Sequence, residues 1–568
     1  MKLISTGLLP AFTEASGQQS VLVGDVAEVA PAIPNGSWEL PSEVLGQLFA
    51  PAALPLGGSS PHSWVQPPPD RFSGEGAARP AIRRLAQIVD HNMSQPMSHV
   101  PYFPGQHLVT RSRSVADIAR GQIDRWLAVS DRPSSVFRGS AAYMGSKRAL
   151  AAFLVEALDG ALPRDGVVID VMCGSGAASA AFSRSWDTIA SDAQPFALLL
   201  AKVQGGGLSA SALDSALPTL VSAARKNTDM VLKQLSPLVE LEDSFFHSDV
   251  TASSLQLYIE FMKDVPLYLS DRRLYGWDPE VLVRYRRQDS NALPYCLVTT
   301  YYANIYFGLR QAIEIDSLRF AIDQVPDPNL RTWCLGALII CSSALATSYG
   351  HFAQPKVHPD RPLSLRQFSE VIERRSYSIT HEFMVRISEL AAQSEQRERP
   401  IRTVPGPWQP ALENCAEIVG TRPVVVYLDA PYRREEYSRY YHVLDTLTRY
   451  DYPEVEGIGR VPKKLHGPRF ASEFFTRSAS RLVEAYAAVI GSVLSRGWIC
   501  AWSYADSGDV AVSEVVRAVE KRVAQTATSY AVPHIHQAQG GRSRKPRRVT
   551  EYVILFRPGQ DDRLLPKG

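Results

Sequence analysis

The most informative part of the sequence for the fold is residues 166–180, GVVIDVMCGSGAASA. The run of valine and isoleucine at its start is short and rich in β-branched side chains, which is typical of a buried parallel strand. Asp170 stands near the end of this strand. A turn that contains Gly174 and Gly176 then leads into an alanine-rich helix. Glycines in such a turn let the main chain pass close to a ligand at the mouth of the strand.

A second strand follows at residues 188–192 and ends in another acid, Asp192, before a helix over 195–202. Strand, glycine turn, helix and strand in this order predict the opening of a doubly wound α/β sheet. An acid at the end of the second strand can accept hydrogen bonds from ribose hydroxyls. The structural alternative is that the glycines serve the turn geometry and that Asp192 caps a helix.

Composition divides the 568 residues into four stretches. Residues 1–110 are rich in Pro, Gly, Ala and Ser and predict an N-terminal extension in which we identify no chemistry. Residues 111–205 carry the glycine turn, and residues 206–420 carry long helical periodicities. Strand signals return over residues 421–568, beginning with the apolar run 423–429. We therefore expect one sheet that is split around a large, mostly helical insert.

The returning strand ends in the tetrapeptide Asp429-Ala-Pro-Tyr432. A carboxylate, a proline-restrained turn and an aromatic ring form a compact polar site with a surface on which a base can stack. An ordinary turn with a helix-capping Asp is the alternative. The segment Tyr143-Met-Gly-Ser-Lys147 precedes the first strand. We expect Tyr143 to lie against a cofactor and Lys147 to approach the tetrapeptide; the alternative is that the segment only starts a helix.

The bulk properties fit a globular protein and exclude few partners. The formal net charge of +2 neither requires nor excludes nucleic acid, because a binding cleft needs local positive charge. The six cysteines lack zinc-ligand spacing and suggest no disulfide framework, so we expect no metal and a cytoplasmic location. The first residues do not resemble a signal peptide, and the apolar stretch 333–346 is too short to span a bilayer. We therefore expect no membrane contact.

Taken in order, these segments resemble the Dam-like, alpha-group N6-adenine DNA methyltransferases. The order is a YxGxK segment at 143–147, a DxxCGSG cofactor loop at 170–176, a long recognition insert and a DPPY-type tetrapeptide. The likeness covers roughly residues 139–556. It is nearest to the FokI-type modification enzymes in residues 302–322, 427–452, 501–508 and 551–556.

The resemblance implies a Rossmann-like methyltransferase sheet, S-adenosylmethionine as cofactor and adenine N6 in double-stranded DNA as target. It implies a set of cofactor-binding residues: Tyr143, Lys147, Asp170, Cys173, Gly174, Gly176 and Asp192. It also implies a target-amine site: Asp429, Ala430, Pro431 and Tyr432. The adenine amine is a poor nucleophile, because its lone pair is delocalised into the ring. A carboxylate and a main-chain carbonyl that accept its two hydrogens would free that lone pair, while an aromatic ring stacks on the flipped base.

Two departures from the family pattern keep other hypotheses open. Ala430 stands where the family normally has Pro, and Asn414-Cys415-Ala416 stands where it often has an Asp-Ala pair. The second hypothesis is therefore a catalytically impaired, DNA-binding subunit of a regulatory or defence system, with a cognate restriction component as a partner. A third is methylation of RNA or of cytosine N4. DNA contacts are expected from three segments whose alternative is a solvated loop: 284–287, 348–356 and 542–548.

Overall fold

A computed structural model gives the fold of the chain. It describes residues 4–6, 146–265, 277–358, 361–431, 436–464, 472–522, 525–536 and 547–558. Within these ranges, no helix is both long and apolar enough to cross a membrane. All six cysteines are buried and carry free thiols.

The strands are β1 Ile4–Thr6, β2 Val167–Val171, β3 Asp187–Asp192, β4 Ile401–Pro405, β5 Val424–Leu428, β6 Val455–Glu456, β7 Val461–Pro462, β8 Ile499–Ala505, β9 Gln525–His536 and β10 Arg547–Pro558. Eight of these described strands form one sheet in the order β1-β9-β10-β8-β5-β2-β3-β4, while β6 and β7 form a short ribbon. The strands β8, β5, β2, β3 and β4 are parallel. The last strand, β10, runs antiparallel to both β8 and β9.

A 3-10 turn spans Lys147–Leu150. The α-helices are α1 Ala151–Asp159, α2 Ala177–Phe182, α3 Pro195–Lys202, α4 Ala210–Phe246, α5 Ala252–Asp264, α6 Pro279–Gln288, α7 Leu297–Tyr301, α8 Leu309–Asp323, α9 Pro328–Leu345, α10 Leu365–Ser376, α11 Ile379–Glu395, α12 Trp408–Val419, α13 Tyr437–Tyr440, α14 His442–Arg449, α15 Ala479–Leu494 and α16 Val512–Glu520.

The central strand β2 is buried along its whole length because helices cover both faces of the sheet. Val167, Ile169 and Val171 pack in one apolar cluster with residues of α12, α15 and α16. Val168 points to the opposite face and packs in a second cluster with residues of α1 and α2. The predicted α/β fold is thus confirmed as a mostly parallel sheet with helices on both sides.

The helices α4 to α11, between β3 and β4, form a body around α8. Every residue of α8 from Leu309 to Ile322 is buried, including charged ones. Buried charges need compensating partners. Glu242 therefore caps α8, accepting hydrogen bonds from the backbone N–H groups of Leu309 and Arg310 at 2.7 and 2.9 Å. Asp316 accepts from the Tyr450 hydroxyl at 2.5 Å.

The helical body is not isolated from the sheet. It shares its apolar cluster with residues of α3, which follows β3, and of α14, which follows the tetrapeptide. Gly336 of α9 allows the closest approach, because a Cβ there would lie 2.5 Å from a methyl carbon of Val203. The insert is therefore packed directly on two helices that leave the functional edge of the sheet.

The predicted C-terminal boundary of the insert, residue 420, was wrong. The third parallel strand, β4, and the following helix α12 lie inside the predicted range, 206–420, and belong to the α/β unit. β4 has the sequence IRTVP, and only Ile401 and Val404 are buried. An edge strand of this kind has neither a continuous apolar run nor strict alternation, so its pattern does not stand out.

Candidate active site

The described residues of the predicted cofactor loop and tetrapeptide meet at the carboxyl edge of the parallel strands. The register pairs Val171 of β2 with Ser191 of β3 on one side and with Leu428 of β5 on the other. The chain runs from β2 to β3 and β4 on one side and then returns to β5 on the other side of β2. This reversal makes the edge a topological switch point. Ligands of open α/β sheets bind in the crevice at such a point.

Both glycines of the turn have left-handed conformations. Gly174 has φ 50° and Gly176 has φ 71°. Gly176 also has a packing role, because a Cβ there would lie 2.4 Å from the Cα of Ala201 in α3. This glycine is therefore required for the close contact of α2 with α3, whatever the turn binds.

Asp192 ends β3 and holds the glycine turn in place. Its Oδ2 accepts a 3.0 Å hydrogen bond from Gly174 N, and its Oδ1 accepts a 2.8 Å bond from Gln194 N. Burial raises the pKa of Asp192 to about 6, against the opposing effect of these backbone donors. Each carboxylate oxygen can accept more than one hydrogen bond. The half-buried side chain thus keeps capacity for a ligand hydroxyl.

Asp170 does not face the crevice in which a ligand would bind. Its side chain is only 1% exposed, and its Oδ2 accepts a hydrogen bond from the Ser179 hydroxyl of α2. Burial raises the pKa of Asp170 to about 7; the Ser179 bond opposes this shift, and the nearby charge of Asp429 adds to it. In this conformation Asp170 anchors α2 behind the turn.

Cys173 also faces the protein interior. Its thiol lies 3.9 Å from the carbonyl oxygen of Ala197, and its main-chain N–H donates to Ser191 O at 2.9 Å. Burial, the largest cause, raises the pKa of this thiol. A thiol that stays protonated is a poor nucleophile. Its carbonyl oxygen accepts a hydrogen bond from Gly176 N at 2.8 Å, so the main chain of Cys173 also serves the turn.

Lys147 connects the glycine turn with the tetrapeptide. Its Nζ lies 3.0 Å from Asp429 Oδ1, and the two side chains are 6% and 19% exposed. The preceding residue, Ser146, accepts a 3.3 Å hydrogen bond from the hydroxyl of Ser175 in the turn. One short segment therefore contacts both halves of the expected site, as the sequence predicted for Lys147.

The tetrapeptide turn is held from below by α15. The hydroxyl of Tyr486 donates a hydrogen bond to the carbonyl oxygen of Pro431. Ala430 packs in the apolar cluster of the sheet and is 1% exposed. A ligand therefore reaches the Ala430 carbonyl only when the atoms that cover it are displaced. Sequence analysis missed Tyr486, because it stands among apolar residues of an ordinary helical pattern.

Several predicted residues are not at this edge or lie outside the described ranges. Tyr143, Tyr432 and residues 542–546 belong to the latter group. In the segment 284–287, Arg286 is 4% exposed and stacks 4.1 Å above the ring of Tyr295. Arg287 donates to the carbonyl oxygen of Tyr452 at 2.7 Å. Arg286 is thus committed to the fold, whereas Arg284, Tyr285 and Arg287 are exposed.

The loop 348–356 is anchored beside the segment that follows the tetrapeptide. Phe352 is buried, and its N–H donates to the carbonyl oxygen of Tyr440 at 2.7 Å. Tyr349 is 43% exposed. Lys356 Nζ forms a 3.1 Å ion pair with Glu370. The loop is thus anchored at Phe352 and exposes the aromatic side chain of Tyr349.

Comparison with known proteins does not assign the chain to a family. Scans against protein-family models, curated proteins and solved structures find no match to the chain.

Proposed function

We propose that this chain is a DNA methyltransferase that transfers a methyl group from S-adenosylmethionine to adenine N6. The observation that carries the proposal is the Lys147–Asp429 ion pair, which lies beside the glycine turn at the switch point of the sheet. The ion pair joins Lys147 of the YxGxK segment to the tetrapeptide, and Ser146 of the same segment accepts a hydrogen bond from Ser175 of the cofactor loop.

The cofactor site we propose consists of the main chain at Gly174–Gly176 and the carboxylate of Asp192. The donor set suits a ligand with hydroxyl groups, because Asp192 is half-buried and retains acceptor capacity. Bound there, S-adenosylmethionine supplies the electrophilic methyl group.

Two features argue against a dinucleotide in the same turn. The dinucleotide fingerprint G-x-G-x-x-G/A has a small residue at its sixth position, for close packing of helix on strand. Here that position is Ser179 and not Gly or Ala, and its hydroxyl donates a hydrogen bond to Asp170. The sheet also differs from the six-stranded dinucleotide-binding order, because antiparallel β10 is inserted between β8 and β9.

The reaction we propose needs two acceptors for the amine hydrogens. Lys147 holds Oδ1 of Asp429 through a charge-assisted hydrogen bond, and Oδ2 is the oxygen offered to the amine. The Pro431 carbonyl is already bonded to Tyr486. The Ala430 carbonyl is therefore the second acceptor. Positioning and electrostatic stabilisation supply the catalysis.

Expression in a bacterial host that lacks adenine methylation tests the proposal. Sequencing that detects modified bases should find N6-methyladenine at one short sequence, and the Asp429→Ala variant should leave the DNA unmodified. Methylated cytosine in place of adenine would change the target amine. Unmodified DNA from cells that make folded wild-type protein would support the catalytically impaired DNA-binding subunit.

The location of one family departure bears on that second function. Asn414-Cys415-Ala416 lies within α12, where Asn414 is exposed and Cys415 is buried in the face packed on the sheet. Parallel connections return the chain from the carboxyl edge to the amino edge, so the middle of α12 is away from the site. An acid at 414 would face solvent, which leaves Ala430 as the departure that touches the site.

A further inference from the structure

Gln194 lies between the cofactor edge and the helices that follow the tetrapeptide. It directly precedes α3 and is 1% exposed. Its amide Nε2 donates to Asp445 Oδ2 of α14 at 2.9 Å and to the carbonyl oxygen of Tyr437 at 3.4 Å. One side chain therefore joins the loop after β3 to both α13 and α14.

These bonds continue to the glycine turn. Gly174 N donates to Asp192 Oδ2, and Gln194 N donates to Asp192 Oδ1. The hydrogen-bonded path thus runs from Gly174 through Asp192 and Gln194 to Asp445. Its first half belongs to the proposed cofactor site, and its second half supports the helices beside the proposed target site.

A polar link is not needed to hold these helices together. Phe196 of α3 and Tyr441 at the start of α14 already pack with ring centroids 5.4 Å apart. Asp445 is 5% exposed and faces Gln194, the main chain near Phe196, the charge of Asp192 and, at 4.0 Å, Arg449. Buried polar pairs of this kind add little net stability but fix one arrangement of the groups around them.

The target site also has to open. Ala430 is 1% exposed, so a base can reach its carbonyl only after the atoms that cover this residue are displaced. Tyr437 begins the helix that follows the tetrapeptide, and its carbonyl is held by Gln194. A ligand that binds Asp192 therefore acts on a loop that is hydrogen-bonded to the helix after the tetrapeptide.

We propose that Gln194 is a positioning residue that couples cofactor binding to DNA binding, by transmitting the state of the Asp192 loop to α13 and α14. This rests on the proposed methyltransferase function. The coupling is positive and reciprocal: S-adenosylhomocysteine raises the affinity for DNA by the same factor by which DNA raises the affinity for S-adenosylhomocysteine. We expect a factor on the order of ten.

The test measures DNA binding calorimetrically with and without saturating S-adenosylhomocysteine, on a duplex that carries the methylated sequence. Gln194→Glu places a second acceptor opposite Asp445 and should reduce the factor to about one (no coupling). The double variant Gln194→Glu with Asp445→Asn restores a donor–acceptor pair in the reverse direction and should recover most of the coupling. Gln194→Met removes the donor at similar volume and serves if the charged variant fails to fold.

Gln311→Glu is the matched control. Gln311 is also fully buried and its amide donates to two backbone carbonyls, of Arg374 and Tyr377, but within the helical body. The Gln311→Glu variant should have a lower melting temperature than wild type and keep the coupling between cofactor and DNA. Unchanged coupling in both Gln194 variants, or equal loss in Gln311→Glu, overturns the proposal. Wild type that binds both ligands independently overturns the coupling alone, whereas wild type that binds no S-adenosylhomocysteine even with DNA present overturns the methyltransferase function itself.

Discussion

The hydroxyl of Tyr486 lies 2.8 Å from the carbonyl oxygen of Pro431 and donates a hydrogen bond to it. This bond ties α15 to the turn that carries the proposed target-amine site. Tyr486→Phe removes the donor and keeps the ring, so we expect a loss of about 0.5–1.5 kcal/mol in positioning, or up to about tenfold in methylation rate. Tritiated methyl transfer to DNA measures the effect.

Tyr504→Phe provides the control for that variant. Tyr504 is equally buried and its hydroxyl accepts a 3.0 Å bond from Val510 N, but it does not hold the tetrapeptide. It should cost stability without the same fall in rate. Equal rates for wild type and Tyr486→Phe would show that the turn keeps its position without the bond.

Removal of Asp429 should abolish methyl transfer, whereas Ala430→Pro should leave it equal or modestly higher. The first change deletes a charge-assisted acceptor. The second keeps the carbonyl and restrains φ, an effect on the order of 1 kcal/mol. Methyl transfer is compared for Asp429→Ala, Ala430→Pro and wild type, with cofactor binding as the control for folding. Activity in Ala430→Pro alone would identify the natural chain as a disabled relative.

Gly176→Ala should destabilise the protein by about 1–3 kcal/mol, because its φ is 71° and the new Cβ would meet Ala201 Cα at 2.4 Å. Chemical denaturation gives the free energy of unfolding. Gly160→Ala is the matched control, since nothing lies within 4 Å of a Cβ there. Similar stability for both variants would mean that α2 and α3 can move apart at no cost.

Asp170 should make stability depend on pH. Its pKa is about 7 in the folded protein against an ordinary value of 3.8, chiefly through burial. The folded state therefore binds the proton more tightly, and the stabilising contribution is complete below pH 4 and lost as pH rises through about 7. Asp170→Asn does not titrate, so its stability relative to wild type should rise between pH 4 and 7. Parallel curves for Asp170→Asn and wild type would contradict the shift.

Deletion of residues 1–100 should leave the methylated sequence unchanged. The described part of this stretch, β1, pairs with β9 at the far edge of the sheet from β4. The helical body, by contrast, packs on α3 and α14 beside the site. Sequencing of modified bases after expression of the truncated chain measures the outcome. A new recognition sequence would move base readout to the N-terminal extension.

The sequence predicted the centre of the sheet and missed its edge. β2 and β5 are buried on both faces, so their valine runs are unmistakable. β4 is half exposed and carries Arg402 and Thr403 outward, so nothing in its pattern distinguishes it from a loop. Hydrophobic periodicity in a sequence reflects which residues are buried, and an edge strand buries fewer residues than a central strand.

The same limit applies to the candidate site. Lys147 and Asp429 were singled out by motif, and the structure brings them together. Gln194, Asp445 and Tyr486 were missed, because each depends on a partner far away in the chain. Short motifs record local geometry, whereas these contacts arise only after the insert and the sheet have packed.

The split of the sheet around the insert has a consequence for how the chain folds during synthesis. Val167 of β2 pairs with Val424 of β5, so the central strand waits for its second neighbour until the whole helical body has been made. Domains that depend on such distant pairings form slowly, while local helical contacts form early. We expect the helical body to collapse first on the ribosome and to shield the apolar faces of α3 until β5 arrives, so that a chain stopped before residue 424 is exposed to aggregation through β2.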